Sequence, residues 1–265
     1  MTDHLTDEKI DRYNSEGFFS PLDIISKQEA TEHRKELEKA EAVHFPMHFK
    51  TKPYLFFLPG YRLATNPILL DKIESILGPN ILLWDSAYVI KEPNDTNFLW
   101  HQDLIYWGLS DDKLVSAWVA ISDSSIDNGC MRFIPKTHLH GELQHRDQKT
   151  KNTILYRGQS VKYDIKEEDV VDITLNPGQA SLHHGHVIHS SNPNISKRRR
   201  IGLTIQYIAP EVKQLNVKGE TATLVRGEDR YDYYNKEPLP KANFEESAIA
   251  FYYKMQKLKH QIYDK

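Results

Sequence analysis

A single cysteine, Cys130, stands in the 265 residues, so no disulfide can form within the chain, and a reducing compartment is the expected setting. Long apolar runs are missing too. The most apolar stretch, Ile81 to Ile90, is too short to span a bilayer and carries Asp85. Neither sign of charge dominates. With a net charge of −3 and an isoelectric point near 6.5, no global basic field exists to draw in nucleic acid or an anionic membrane. Met1 to Glu16 is polar throughout and lacks the basic start and apolar stretch of a secretory signal. Repeats, low-complexity tracts and linkers are absent as well. The expectation is a soluble, cytoplasmic protein with a small-molecule partner and no nucleic-acid or membrane partner.

What is present is enough for a packed core: 39% of residues are hydrophobic and 11% aromatic. Helix signals cluster first. Thr6 before Asp7 and Glu8 starts a helix that Gly17 stops; Ser26 with Glu29 is a capping-box pattern opening a helix to about Ala42; Asn66-Pro67 begins another that Gly78-Pro79 ends. From Ile81 short β-rich runs take over: Ile81–Lys91, Phe98–Asp103, Leu114–Ser122, Cys130–Pro135, Val170–Leu175, Gln179–His184 and Arg200–Ala209. Turn clusters such as Asp127-Asn128-Gly129 and Asn176-Pro177-Gly178 separate them. A closing helix follows over Phe244 to Tyr263. The pattern predicts one domain: a helical flank over about 1–80, an antiparallel β sandwich or barrel over about 81–210, and a C-terminal extension with a helix over about 211–265.

The chemistry sits in the β region. Residues i and i+2 of a strand point the same way, so His-x-Asp near a strand end offers two metal ligands from one segment. Trp100-His101-Gln102-Asp103 has this form, and two His plus one carboxylate is the ligand set of non-haem iron(II) oxygenases. Alone the spacing is weak, because chance supplies roughly one such pair in a chain of this composition. A rival, His145-Arg146-Asp147, lies in the charged stretch Gln144 to Lys151, which predicts a solvated loop. For a third ligand the segment Ser181 to His189 offers four histidines. His183, His184 and His186 fit turn or core roles, whereas His189 is followed eleven residues later by Arg200.

Arg200 opens a strand that alternates cleanly. Ile201, Leu203, Ile205 and Tyr207 form an apolar face suited to packing outward on helices; Arg200, Gly202, Thr204 and Gln206 form a face suited to a polar lumen. A guanidinium there can grip a carboxylate with two parallel hydrogen bonds. Lys197, Arg198 and Arg199, by contrast, predict a solvated basic patch. Leu114–Ser122 alternates likewise, leaving Trp118 either as a wall beside the metal or as a core tryptophan.

Taken together, these residues resemble the phytanoyl-CoA dioxygenase family of iron(II)/2-oxoglutarate oxygenases. His101 to Trp107 resembles the family's proximal metal segment. Ser116-Ala117-Trp118, Asp127-Asn128-Gly129-Cys130, Ile134-Pro135-Lys136-Thr137-His138 and His189 to Asn194 follow in the family's order, with Arg200 beyond. The 88 residues between His101 and His189 fit the family, and the likeness covers roughly Ile81 to Pro210. It implies a double-stranded β-helix (jelly-roll, cupin-like) core with flanking α-helices. It implies His101, Asp103 and His189 as ligands of Fe(II), and Arg200 as the partner of the distal carboxylate of 2-oxoglutarate. Ser191 and Trp118 match further cosubstrate contacts. Lys136 departs from the pattern, standing where a glycine is common.

The reaction implied consumes O2 and 2-oxoglutarate, releases CO2 and succinate, and oxidises an unactivated C–H bond, with hydroxylation the default and desaturation or cyclisation alternatives. Family relatives that halogenate carry a small residue at the position of Asp103, so this carboxylate argues against halogenation. A non-redox metal enzyme would need the same three ligands but not Arg200. Tyr88, Tyr106, Trp107, Arg132 and Gln206 are the expected substrate-pocket side chains, Leu224 to Tyr231 is a candidate lid, and a small polar metabolite or natural-product intermediate is the expected substrate.

Overall fold

In the computed structural model, which describes residues 2–147 and 159–263, the N-terminal helices begin and end at the signals in the sequence. Helix α1 (Asp7–Glu16) follows Thr6 and stops at Gly17, whose φ of 84° suits a residue without Cβ. Helix α2 (Lys27–Val43) opens with a full capping box: the Ser26 hydroxyl accepts from Glu29 N, and the Glu29 carboxylate accepts from Ser26 N. A short helix α3 (Leu58–Ala64), which the sequence does not announce, precedes α4 (Pro67–Leu77), capped by Asn66. Helix α5 (Glu246–Tyr263) closes the chain.

The β region is a large sheet facing a smaller one. The large sheet runs β1-β9-β4-β11-β2-β12-β13, comprising β1 (Phe18–Asp23), β2 (Ile81–Lys91), β4 (Leu114–Ala120), β9 (Gln179–His183), β11 (Arg200–Ile208), β12 (Thr221–Arg226) and β13 (Asn235–Lys236). Every pairing in it is antiparallel except β12 with β13. The small sheet orders β3 (Phe98–His101), β10 (Ile188–Ser191), β5 (Met131–Ile134) and β8 (Val171–Ile173). The charged stretch that predicts a loop instead forms β6 (His145–Asp147), paired with β7 (Gln159–Val161); its residues 148–151 lie outside the described residues.

One face of the large sheet packs on helices. Ile201, Leu203, Ile205 and Tyr207 of β11 and Val115, Ala117 and Val119 of β4 share a core with Leu37, Leu63, Leu69, Ile73 and Tyr252 from α2 to α5. Each large apolar side chain buried there contributes on the order of 1.5–3 kcal/mol. The opposite face turns toward the small sheet and lines a cavity.

A bulge decides what β2 shows to that cavity. Gln206 pairs with Asp85 but Tyr207 pairs with Leu83, so β2 spends one residue more than β11 around Trp84. Ile81 and Leu83 face the helices. Beyond the bulge the parity inverts, and Asp85, Ala87 and Val89 face the cavity while Tyr88 and Ile90 join the core. Among the described residues no helix is long and apolar enough to cross a membrane.

Candidate metal centre and cavity

His101 ends β3 and His189 sits in β10, and the antiparallel pairing sets them directly opposite each other. Strand pairing thus closes a gap of 88 residues to a ring separation of 4.2 Å. Asp103 follows in the turn after β3, its amide and that of Leu104 both donating to Gly185 O at 3.1 Å. Asp103 Oδ1 then stands 3.4 Å from His101 Nε2 and 3.7 Å from His189 Nε2. One donor atom from each of the three lies within 4.8 Å of the others, close enough to share one ion.

Both imidazoles aim the same nitrogen inward. His101 Nδ1 faces Leu99 O at 2.7 Å and His189 Nδ1 faces Val187 O at 3.1 Å. A ring nitrogen facing a carbonyl carries the proton, which leaves the Nε2 lone pair for a metal. Burial, then the neighbouring His101 ring, pushes His189 down to about 3. Burial acts to raise Asp103, but His189, His101 and His183 outweigh it and hold the carboxyl well below its usual range. The set therefore offers two Nε2 atoms aimed at one point beside an ionised carboxylate.

Gln102, between the two ligands in sequence, points away and anchors the segment. It is fully buried, donating to Gly141 O and His186 O and accepting from Leu143 N. Its amide donates to His145 Nε2 at 3.0 Å. The rival histidine therefore supports the metal segment from behind.

The cavity beside the triad has a volume of about 470 Å³. At one end lies Arg200, 1% exposed, its Nη1 donating to Gly129 O and its guanidinium 5.3 Å over the Trp118 ring. Burial lowers its pKa to about 10, so it stays protonated. Among the described residues neither Arg200 Nε nor Ser191 Oγ, both buried, finds a hydrogen-bond partner, and both residues line the cavity. A buried guanidinium costs several kcal/mol unless an anion answers it.

Of the side chains expected around a substrate, Tyr106, Trp107 and Gln206 line the cavity. Two do not. Tyr88 is in the core with its hydroxyl 2.6 Å from His33 Nε2, because the β2 bulge turned it outward. Arg132 is held by Asp172 and Glu167 and stacks on Trp100, outside the lining. Leu224 to Tyr231 also lies elsewhere. Leu224 to Arg226 belong to β12, Arg226 pairs with Asp71 and Glu74 of α4, and none of the run lines the cavity. Arg199, expected in solvent, bridges Glu38, Glu41 and Glu92.

The cavity also holds residues that the sequence reading missed. His183 Nε2 is 3.9 Å from Asp103 Oδ2; the alternation of β9, with Ala180 and Leu182 in the core, was the signal for its inward face. Asp85 faces inward only because of the bulge. Gln256 and Lys259 come from α5, which no local pattern ties to the site. A second candidate metal cluster, His4, Asp71 and Glu74, already has its two carboxylates bridged by Arg226.

The model of the phytanoyl-CoA dioxygenase family matches residues 6–202. The chain belongs to that family. Among solved structures it is similar to a non-heme monooxygenase, ThoJ, with TM-score 0.84, 30% identity and 96% of each chain covered. Among curated relatives it is 28% identical over 160 residues to a probable alpha-ketoglutarate-dependent hypophosphite dioxygenase of Stutzerimonas stutzeri, covering 60% of this chain and 56% of the relative. It is 24% identical over 250 residues to a methylphosphonate hydroxylase of Gimesia maris, covering 88% and 87%. The match spans about half the length of several curated relatives, including the human peroxisomal phytanoyl-CoA dioxygenase at 48%.

Proposed function

We propose that this chain is an Fe(II)- and 2-oxoglutarate-dependent dioxygenase that hydroxylates an unactivated C–H bond of a small metabolite or natural-product intermediate, releasing succinate and CO2. We read the two facing sheets as a double-stranded β-helix and residues 1–265 as one catalytic domain. The observation that carries this reading is the pairing, in one cavity, of the His101–Asp103–His189 donor set with a buried Arg200 whose Nε lacks a partner.

The residues fit the absent groups. Two imidazole nitrogens and one carboxylate, His101, His189 and Asp103, would hold Fe(II), a donor set that suits this ion. When bound, iron and 2-oxoglutarate activate O2 for hydrogen abstraction from the substrate. The chain's own contribution is binding and orientation. His101 and His189 present Nε2 because backbone carbonyls fix their rings. Asp103 supplies the negative charge. Arg200 takes the distal carboxylate of 2-oxoglutarate, Ser191 adds a hydroxyl, and Trp118 supports the guanidinium through its ring face. Phe49, Phe98, Tyr106 and Trp107 give the cavity an aromatic lining on which an apolar substrate body can rest.

Succinate formation tests this. Aerobic protein with Fe(II) and 2-oxoglutarate releases succinate in a slow background turnover that Asp103→Ala abolishes. Production of succinate unaffected by Asp103→Ala, or none at all with a non-redox ion such as zinc supporting hydrolysis instead, contradicts the reading.

A further inference from the structure

The end of the cavity farthest from Arg200 carries a second polar feature. Arg200 and Gln206 lie six residues apart on β11, about 20 Å along an extended strand, and Gln206 pairs with Asp85 across the sheet. Over this end lies α5. Gln256 and Lys259, three residues apart and so on one helix face, both line the cavity.

Lys259 has an unusual setting. Its side chain is 4% exposed, and its Nζ stands 3.1 Å from Asp85 Oδ2, 3.5 Å from Glu220 Oε2 and 3.9 Å over the Trp84 ring. Despite these charges the ammonium makes no aligned hydrogen bond. Asp85 is differently placed. Its Oδ1 accepts from Thr51 Oγ1, Ser86 N and Lys52 N, so Oδ2 faces the cavity side with the Lys259 ion pair as its contact. The wall therefore offers a donor and an acceptor side by side.

The charges behind that wall restrict what can dock. Lys52 pairs with Glu237 at 2.7 Å and Glu220 at 3.3 Å, so three carboxylates, Asp85, Glu220 and Glu237, answer two ammonium groups. An oxyanion would add to that excess of negative charge in a low-dielectric site, and an amine would meet the charge of Lys259. A neutral group that accepts from one and donates to the other meets neither penalty.

Building on the oxygenase reading, we propose that the primary substrate is an uncharged amide, its carbonyl oxygen on Lys259 and its N–H on Asp85, with an apolar body lying along the aromatic wall toward the metal. It thus differs from the oxyanions in the names of the two microbial relatives.

Titration calorimetry with four matched probes tests this: pentanamide, pentanoate, pentylphosphonate and pentylamine, added anaerobically to protein holding Fe(II) and 2-oxoglutarate. Pentanamide binds about tenfold or more tightly than the others, a difference of about 1.4 kcal/mol. Lys259→Met removes that preference and Lys259→Arg largely keeps it. A charged probe binding as tightly as pentanamide, no binding by any probe, or an unchanged preference in Lys259→Met overturns the proposal. If Lys259→Met fails to fold, the ranking on the unaltered protein decides alone. A blocked peptide unit, N-acetylleucine N-methylamide, binding above pentanamide assigns the amide to a peptide, and the reverse to a small metabolite; both agree with the proposal. The same titration without iron or cosubstrate separates it from the oxygenase reading, since amide preference there survives even if no iron chelate ever forms.

Discussion

Trp118 lies flat against Gly202: a Cβ added at Gly202 would stand 2.0 Å from Trp118 Cζ2. Gly202 occupies the inner face of β11, two residues from Arg200, whose guanidinium rests over the same indole. The glycine thus makes the space in which tryptophan supports arginine.

Gly202→Ala should therefore act through Trp118 on Arg200. The expected outcome is a rise of about tenfold or more in the Kd for 2-oxoglutarate, with Fe(II) affinity close to unchanged because the triad is on the other sheet. Equilibrium titrations of each component distinguish the two. Equal losses of metal and cosubstrate affinity would count against this account.

Gln102 makes a different prediction. Its side chain satisfies two carbonyls and one amide from inside the fold. Gln102→Leu leaves those groups unpaired, at about 1–3 kcal/mol each, and loosens the His101–Asp103 segment. Thermal unfolding should shift down, and Fe(II) affinity should fall by about 10–100-fold.

Stability should decline on mild acidification. Burial lowers His33, His48 and His184 each to about 4 from 6.5. Between those two values the unfolded imidazoles bind protons that the folded ones do not, so stability is full above pH 6.5 and falls as the pH drops toward 4. The slope is up to about 1.4 kcal/mol per pH unit for each group. Urea unfolding at pH 7 and pH 5 measures it. His33→Gln, which can keep a contact to the Tyr88 hydroxyl, should reduce the slope.

Lys136 holds φ at 68°, and its exposed side chain reaches Glu16 at 3.8 Å. A side chain in this left-handed region costs roughly 1–2 kcal/mol. Lys136→Gly should raise the melting temperature by a few degrees and leave cosubstrate binding alone. The result also explains why a glycine is common at this turn.

Much of this molecule was legible in its sequence where the signal was local. The caps of α1, α2 and α4, the alternation of β4 and β11, and the pairing of His101 with Asp103 each depend on neighbours within a few residues. Features set by register or distant packing escaped. Strand β1 follows α1 without an alternating pattern, and it becomes a strand by pairing with β9. The bulge at Trp84 inverted the faces of β2, putting Tyr88 in the core and Asp85 in the cavity. His183 was hidden among four histidines, where only the parity of β9 separates inward from outward. Lys259 reached the site through the packing of a helix from the far end of the chain, which no periodicity within that helix reveals. The loss in each case was of register or of tertiary contact, the two things a one-dimensional pattern encodes least.

Three ligands and one arginine are proposed to serve a single iron–cosubstrate unit. Anaerobic addition of Fe(II) to protein with 2-oxoglutarate reports on that unit through the weak visible charge-transfer band of the chelate. The expected band saturates at one iron per chain, vanishes in His189→Ala, and in Arg200→Ala needs far more 2-oxoglutarate to form. A band that persists in His189→Ala, or no band in protein shown to bind iron, contradicts it.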